Sequence, residues 1–191
     1  MSVDFKPYGF MPVRRRLGGA KPTDLVRRGA IASGYNTSIG VGDPIKMLTD
    51  GTFALCAAGE AISAVFAGWS SEDADVWRSG PNWVAGTTWV NPPWVRYWDI
   101  ETHLFKVVCD GAVARSAVGD CMDHVAGTIN TKSGRSGAYL GVSSIAGAAA
   151  SAQWKIEDLL LQQGNDWGDA YTEVVVFANE INLGRTPGNA I

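Results

Sequence analysis

The side chains best suited to metal or nucleophilic chemistry are few: His103 and His124, with Cys56, Cys109 and Cys121. Cys109, Cys121 and His124, with Asp120 and Asp123 between them, could in principle ligate a metal. Their spacing fits no compact zinc pattern, and no second Cys-x-x-Cys or His-x₃-His pair accompanies them. They read as small buried cysteines and a surface histidine. Serine chemistry fares no better. Gly141-Val142-Ser143-Ser144 lacks glycine two residues either side of a serine, which a nucleophile elbow needs. No phosphate-cradling loop and no Gly-x-Gly-x-x-Gly opens a helix. Asp73 and Asp75 lie near tryptophans, as paired carboxylates do in sugar hydrolases, but Ser-Ser-Glu-Asp-Ala-Asp has the composition of an exposed turn. The expectation is a chain without catalytic residues, metal or cofactor.

Residues suited to binding are more plentiful. Six of the eight tryptophans (Trp69, Trp77, Trp83, Trp89, Trp94 and Trp98) fall within thirty residues. Most of them suit a satellite core that pins a long loop. Trp94-Val95-Arg96-Tyr97-Trp98 alternates, so in a strand Trp94, Arg96 and Trp98 share one face. Such a face suits a protein interface, where Trp and Arg are favoured anchors, or a sugar-stacking platform. A second binding element is charge. Residues 1–30 carry seven basic side chains (Lys6, Arg14, Arg15, Arg16, Lys21, Arg27 and Arg28) against Asp4 and Asp24, a local +5 within a net −3, which leaves −8 elsewhere. A basic segment on an acidic body suits contact with an acidic partner or with a neighbouring copy. Aromatic interleaving for base stacking is missing there, so direct nucleic-acid binding is not expected. The plain alternative is a solvated terminus.

These groups must be positioned by a fold that the composition narrows. The 191 residues fit one domain, or a compact domain with a smaller lobe. With 46% apolar residues the chain can bury a core, while 18% charged residues fall below the roughly 25% usual in soluble domains. Twenty-three glycines suit short strands, tight turns and a surface partly hidden against something else, and do not suit a helical bundle. The odd, small cysteine count fits a reducing cytosol. No apolar run reaches the ~20 residues of a membrane span, and Arg14–Arg16 interrupts any secretion signal. A soluble protein made inside a cell is expected, with no membrane partner.

Along the chain, residues 1–28 read as an extended basic arm and 29–183 as a mainly β domain. Thr49-Asp50-Gly51-Thr52 between apolar runs is a strong hairpin signal, and Ala58-Gly59-Glu60 supplies a second turn. Pro81, Pro92 and Pro93 mark the tryptophan-rich segment 70–98 as an inserted loop or edge hairpin. Leu104–Cys109 is an expected strand. Gln153–Leu161 and Tyr171–Ile181 form a final strand pair, Val174-Val175-Val176-Phe177 being β-branched and aromatic. A helix over Ser143–Gln162 is the alternative for the first of that pair. Residues 184–191 read as a loose tail.

Several fragments, taken in order, resemble the head decoration (cement) proteins of tailed bacteriophages: Pro7-Tyr8-Gly9-Phe10-Met11-Pro12-Val13-Arg14; Val41-Gly42-Asp43-Pro44-Ile45-Lys46; Leu55-Cys56-Ala57-Ala58-Gly59; Val65-Phe66-Ala67-Gly68; Val118-Gly119-Asp120; and the closing Glu173–Leu183. With Ile31–Tyr35 and Thr131–Gly137, which belong to the same pattern, they are spread along most of the chain; the tryptophan-rich segment departs from the pattern. The resemblance implies a small antiparallel β-barrel or "β-tulip" preceded by an arm. It further implies a homotrimer on the outer surface of the virion head, clamping copies of the major capsid protein. On that reading the partner-facing residues are Arg14, Arg15, Arg16, Arg27, Arg28, Trp94, Arg96 and Trp98. A tail- or fibre-attachment virion protein and a carbohydrate-binding module are the alternatives.

Overall fold

The computed structural model describes residues 5–15, 26–73, 76–88, 91, 93–148 and 150–182. The molecule is mainly β and is organised around a closed five-stranded barrel. In chain order, β1 is Met11–Arg15, β2 Val26–Ile31, β3 Ile39–Gly40, β4 Pro44–Met47 and β5 Thr52–Leu55. Next come β6 Ala64–Asp73, β7 Val76–Gly80, β8 Asn82–Trp83, β9 Trp94–Asp99 and β10 His103–Val108. The last are β11 Cys121–Met122, β12 His124–Val125, β13 Tyr139–Leu140, β14 Trp154–Leu159 and β15 Glu173–Ala178.

The barrel runs β4-β5-β2-β9-β6 and closes where β6 pairs back onto β4, with β7 extending β6 as a hairpin at the sheet edge. Its pairings are antiparallel except β2–β5, which is parallel. The expected hairpin at Asp50-Gly51 joins β4 to β5. Gly51 sits at φ +82°, which a side chain would oppose, and the Asp50 carboxylate accepts hydrogen bonds from the Thr52 N–H and hydroxyl. Alternation then points Ile31, Ile45, Phe53, Ala64, Phe66 and Val95 inward, where they pack with Ile39 and Trp83 into a filled interior. Gly29 on β2 is needed for this packing, because a Cβ there would overlap the Phe53 ring.

A second sheet, β1-β10-β15-β14-β11, is antiparallel throughout. It covers part of the barrel's outer surface, and the larger core lies between the two. Val65, Trp98 and Ile100 from the barrel side meet Phe105, Val107, Trp154, Ile156, Val174 and Val176 from the sheet. The predicted strands at Leu104–Cys109 and in both final segments are present as β10, β14 and β15, and the helix alternative for Ser143–Gln162 is not adopted.

Two sequence expectations change. The first part of the predicted arm belongs to the core. Phe10 is fully buried and stacks on Trp154 with ring centroids 4.2 Å apart, its N–H donates to the Gly42 carbonyl, and β1 adds to the edge of the second sheet through β10. One aromatic anchor suffices to fix this segment, so no sequence period announces it. Residues 26–28, also assigned to the arm, instead open barrel strand β2; residues 1–4 and 16–25 and the predicted tail 184–191 lie outside the described residues. The tryptophan-rich segment is not an insertion either. Its β6–β7 part is an edge hairpin, but β9 is a central barrel strand between β2 and β6. Of the prolines described there, Pro81 sits between β7 and β8 and Pro93 just before β9, so neither interrupts a ladder.

Candidate functional site

The outer faces of β2, β9 and β6 form one surface, and the second sheet covers only one end of it. Register fixes its members. On β9, Trp94, Arg96 and Trp98 alternate outward; across β2 they oppose Ala30, Arg28 and Val26, and across β6 they oppose Ser70, Gly68 and Val65. At the covered end Trp98 is 6% exposed and joins the inter-sheet core with Val65. The expected Trp94–Arg96–Trp98 stripe is therefore cut short, because the covering sheet claims Trp98. At the open end Trp94 is 42% exposed. The Arg28 guanidinium lies over its ring, 5.1 Å from the centroid, a cation–π contact. Trp94 with Arg28, Gly29 and Ala30 borders a hollow of about 290 Å³.

Arg96, opposite Arg28 in the ladder, passes close to Gly68 of the neighbouring strand. Gly68 has φ +115°, and a Cβ on it would come within 2.8 Å of the Arg96 Nη2. Glycine thus permits both the β6 bulge between Phe66 and Gly68 and the close passage of the guanidinium. Arg96 Nε and Ser70 Oγ are buried and have no hydrogen-bond partner among the described residues.

The other predicted basic residues are placed differently. Arg27 forms an ion pair with Asp99, Nη2 to Oδ2 at 2.8 Å. Arg14 is exposed on β1, on the second sheet. Arg15 closes β1, and Arg16 lies outside the described residues. Of the eight predicted contact residues, Arg28, Trp94 and Arg96 come together.

Comparison with family models, curated proteins and solved structures gives no match. The chemistry of the chain must then be judged from its own groups. Cys56, Cys109 and Cys121 are free and buried. Burial pushes the Cys56 and Cys109 thiols up to about 12 and also raises Cys121, so all three favour the unreactive thiol at neutral pH. Among the described residues no group of three or more His, Cys, Asp or Glu side chains could hold a metal ion, and no helix is long and apolar enough to cross a membrane.

His124 is not the surface residue its neighbours suggested. It is 1% exposed, and its Nε2 donates to the Cys56 carbonyl at 3.0 Å. Burial lowers its pKa and keeps the ring neutral. Gln153, which nothing in the sequence singled out, completes this clamp. Its amide donates to the Ala57 and Glu60 carbonyls at 2.7 and 2.6 Å, and its Oε1 accepts the His124 N–H. The two side chains fasten the β5–β6 connection to β12 and to the entry of β14.

A second recess, about 490 Å³, is bordered by Lys6, Tyr8, Asn130, Arg135 and Ser136. Behind it Asp43 is 4% exposed and accepts hydrogen bonds from the Gly40 N–H at 2.7 Å and from the Ser136 hydroxyl. Burial raises the Asp43 carboxyl to about 6, against the two hydrogen bonds that pull it down. The Ser136 oxygen also accepts the Ala138 N–H. These bonds tie the barrel turn at Gly40–Asp43 to residues 136–138, a structural role.

Proposed function

We propose that this chain is a non-catalytic assembly protein that binds a large partner through the open end of the β2–β9–β6 surface, and that the partner is the outer surface of a tailed-phage head, bound as a decoration protein. The observation that carries the binding site is Trp94, a large aromatic left 42% exposed beside two arginines on a rigid barrel. Aromatic and arginine side chains on a preorganised frame are the favoured anchors of protein interfaces. The head itself is assigned from the ordered fragments that resemble decoration proteins, Val41–Lys46, Leu55–Gly59 and Glu173–Leu183 among them. Such a protein works through its contacts. Repeated modest contacts across a symmetric shell give high effective concentration, so one patch need not bind tightly alone. The same family pattern supports a homotrimer.

A sugar-stacking platform is the competing use of Trp94. The Arg28 guanidinium already lies over that ring, which favours a protein surface over a flat pyranose.

The test is co-sedimentation of purified protein with expanded, undecorated heads of the tailed phage that encodes the chain, with the oligomeric state measured by light scattering. Saturable binding by a trimer, weakened at least tenfold by Trp94→Ala, is expected. A monomer that stays in the supernatant at every head concentration contradicts the proposal.

A further inference from the structure

The open end of the barrel surface has an electrostatic peculiarity. Arg28 and Arg96 are directly opposite each other in the β2–β9 ladder and so point to the same side. Like charges in that position repel and destabilise a strand pair. Neither guanidinium has an ion-pair partner among the described residues; Arg27, their neighbour, has one in Asp99. Arg28 rests on Trp94 and Arg96 over Gly68, so both planar groups have an apolar or backbone floor and their polar edges unused.

A second, independent observation lies on β6. Ser70, two residues beyond Gly68 and therefore on the same face, faces Trp94 across the ladder and is 8% exposed. Its hydroxyl has no partner, and neither has the Arg96 Nε. Six further buried polar atoms of the described residues also lack a hydrogen bond, Trp154 Nε1 among them; what sets this face apart is that its two unsatisfied donors lie with two uncompensated cations, which together favour an acceptor. The Asp43 recess does not share this pattern, since the Asp43 carboxylate and the Ser136 hydroxyl have their partners within the fold.

We infer that this surface is a carboxylate receptor, whose occupant is an aspartate or glutamate side chain presented by the protein partner. A carboxylate has two oxygens and accepts the paired N–H groups of a guanidinium edge, a geometry that a neutral amide does not reproduce. Arg96 supplies the fork, Ser70 a hydroxyl donor, Arg28 the second positive charge, and Trp94 an apolar wall for the methylenes carrying the acid. The inference deepens the docking surface proposed above and rests on that reading for the identity of the partner; the receptor itself is a property of the isolated chain.

The experiment is a nuclear magnetic resonance titration of the ¹⁵N-labelled protein, without heads, reading the arginine Nε–Hε and tryptophan indole signals. The probes are N-acetyl-glutamate amide, its neutral isostere N-acetyl-glutamine amide, and inorganic phosphate. Saturable shifts of Arg96 Nε–Hε and the Trp94 indole with the glutamate probe are expected, with at least tenfold weaker response to the glutamine probe. Arg96→Gln, Arg28→Gln and Ser70→Ala should each weaken the response at least fivefold. Arg28 is exposed, so its variant tests the site even where Arg96→Gln perturbs folding. Equal response to glutamate and glutamine, no saturable shift, or an unchanged response in both Arg28→Gln and Ser70→Ala overturns the receptor. Phosphate binding more than tenfold tighter than glutamate overturns the choice of carboxylate. Heads bound by a protein that ignores the glutamate probe would sink this inference alone; a glutamate response in a protein that never binds heads would sink the head assignment and leave the receptor standing.

Discussion

Trp94 and Trp98 are the same residue type, four positions apart on the same face of β9, yet they serve different ends of the molecule. Trp98 meets the second sheet and becomes core at 6% exposure; Trp94 carries the Arg28 guanidinium over its ring and stays 42% exposed. Nothing in β9 itself distinguishes them. The difference is made by where the second sheet stops, so an identical local pattern yields packing at one end and an uncovered aromatic at the other.

The sharpest way to break this comparison is to truncate each tryptophan. Trp98→Ala opens a cavity between the sheets and should cost about 3–5 kcal/mol of unfolding free energy, measured by denaturant titration. Trp94→Ala leaves no enclosed void and should cost under about 1 kcal/mol. Comparable losses for the two would mean that the open end is not open.

The next contrast is in how the covered and open regions answer to pH. Asp43 is buried in the frame, and its carboxyl is raised to about 6 from an ordinary value of 3.8. A raised carboxyl is protonated more readily in the folded than in the unfolded chain. Its contribution to stability is thus fully present below the unfolded value and is lost as pH rises through about 6. Comparing wild type with Asp43→Asn isolates this group from others that titrate, His124 among them. Wild type should gain on the order of 2–3 kcal/mol relative to the variant between pH 7 and pH 4. A wild-type-minus-variant stability that is flat with pH would remove Asp43 from the account.

The smallest expected effect compares neighbours on β2. Arg27 is paired with Asp99 but its side chain is 65% exposed, so Arg27→Gln should cost under about 1 kcal/mol in thermal or chemical unfolding. Arg28→Gln, which relieves the repulsion with Arg96, should cost less than Arg27→Gln. The reverse order would show that Arg28 stabilises the fold instead of facing a partner.

How much of this was legible in the sequence depended on whether a signal was local. The Asp50-Gly51 hairpin, the β10 strand and the Val174–Phe177 strand were read correctly because turn chemistry and β-branched runs act over a few residues. Closure of the barrel by β6 on β4 and the parallel β2–β5 pair were not readable, since they join segments through tertiary packing. Phe10 was hidden among prolines and arginines, and its burial depends on Trp154, far along the chain. In the site, alternation placed Trp94 and Arg96 on one face, and charge singled out Arg28. The same alternation could not separate Trp98 from Trp94, because coverage by another sheet leaves no mark on the strand it covers. Ser70 carried no signal at all; only its register against Trp94 brings it into view.

The most direct measurement is hydroxyl-radical footprinting of the tryptophans in free protein and in protein bound to expanded heads. In the free chain Trp94 should oxidise readily while Trp98 and Trp154 stay protected. On heads Trp94 alone among these three should lose its reactivity, by at least tenfold. A Trp94 that is oxidised equally in both states would contradict the claim that the uncovered end of this surface is where the protein docks.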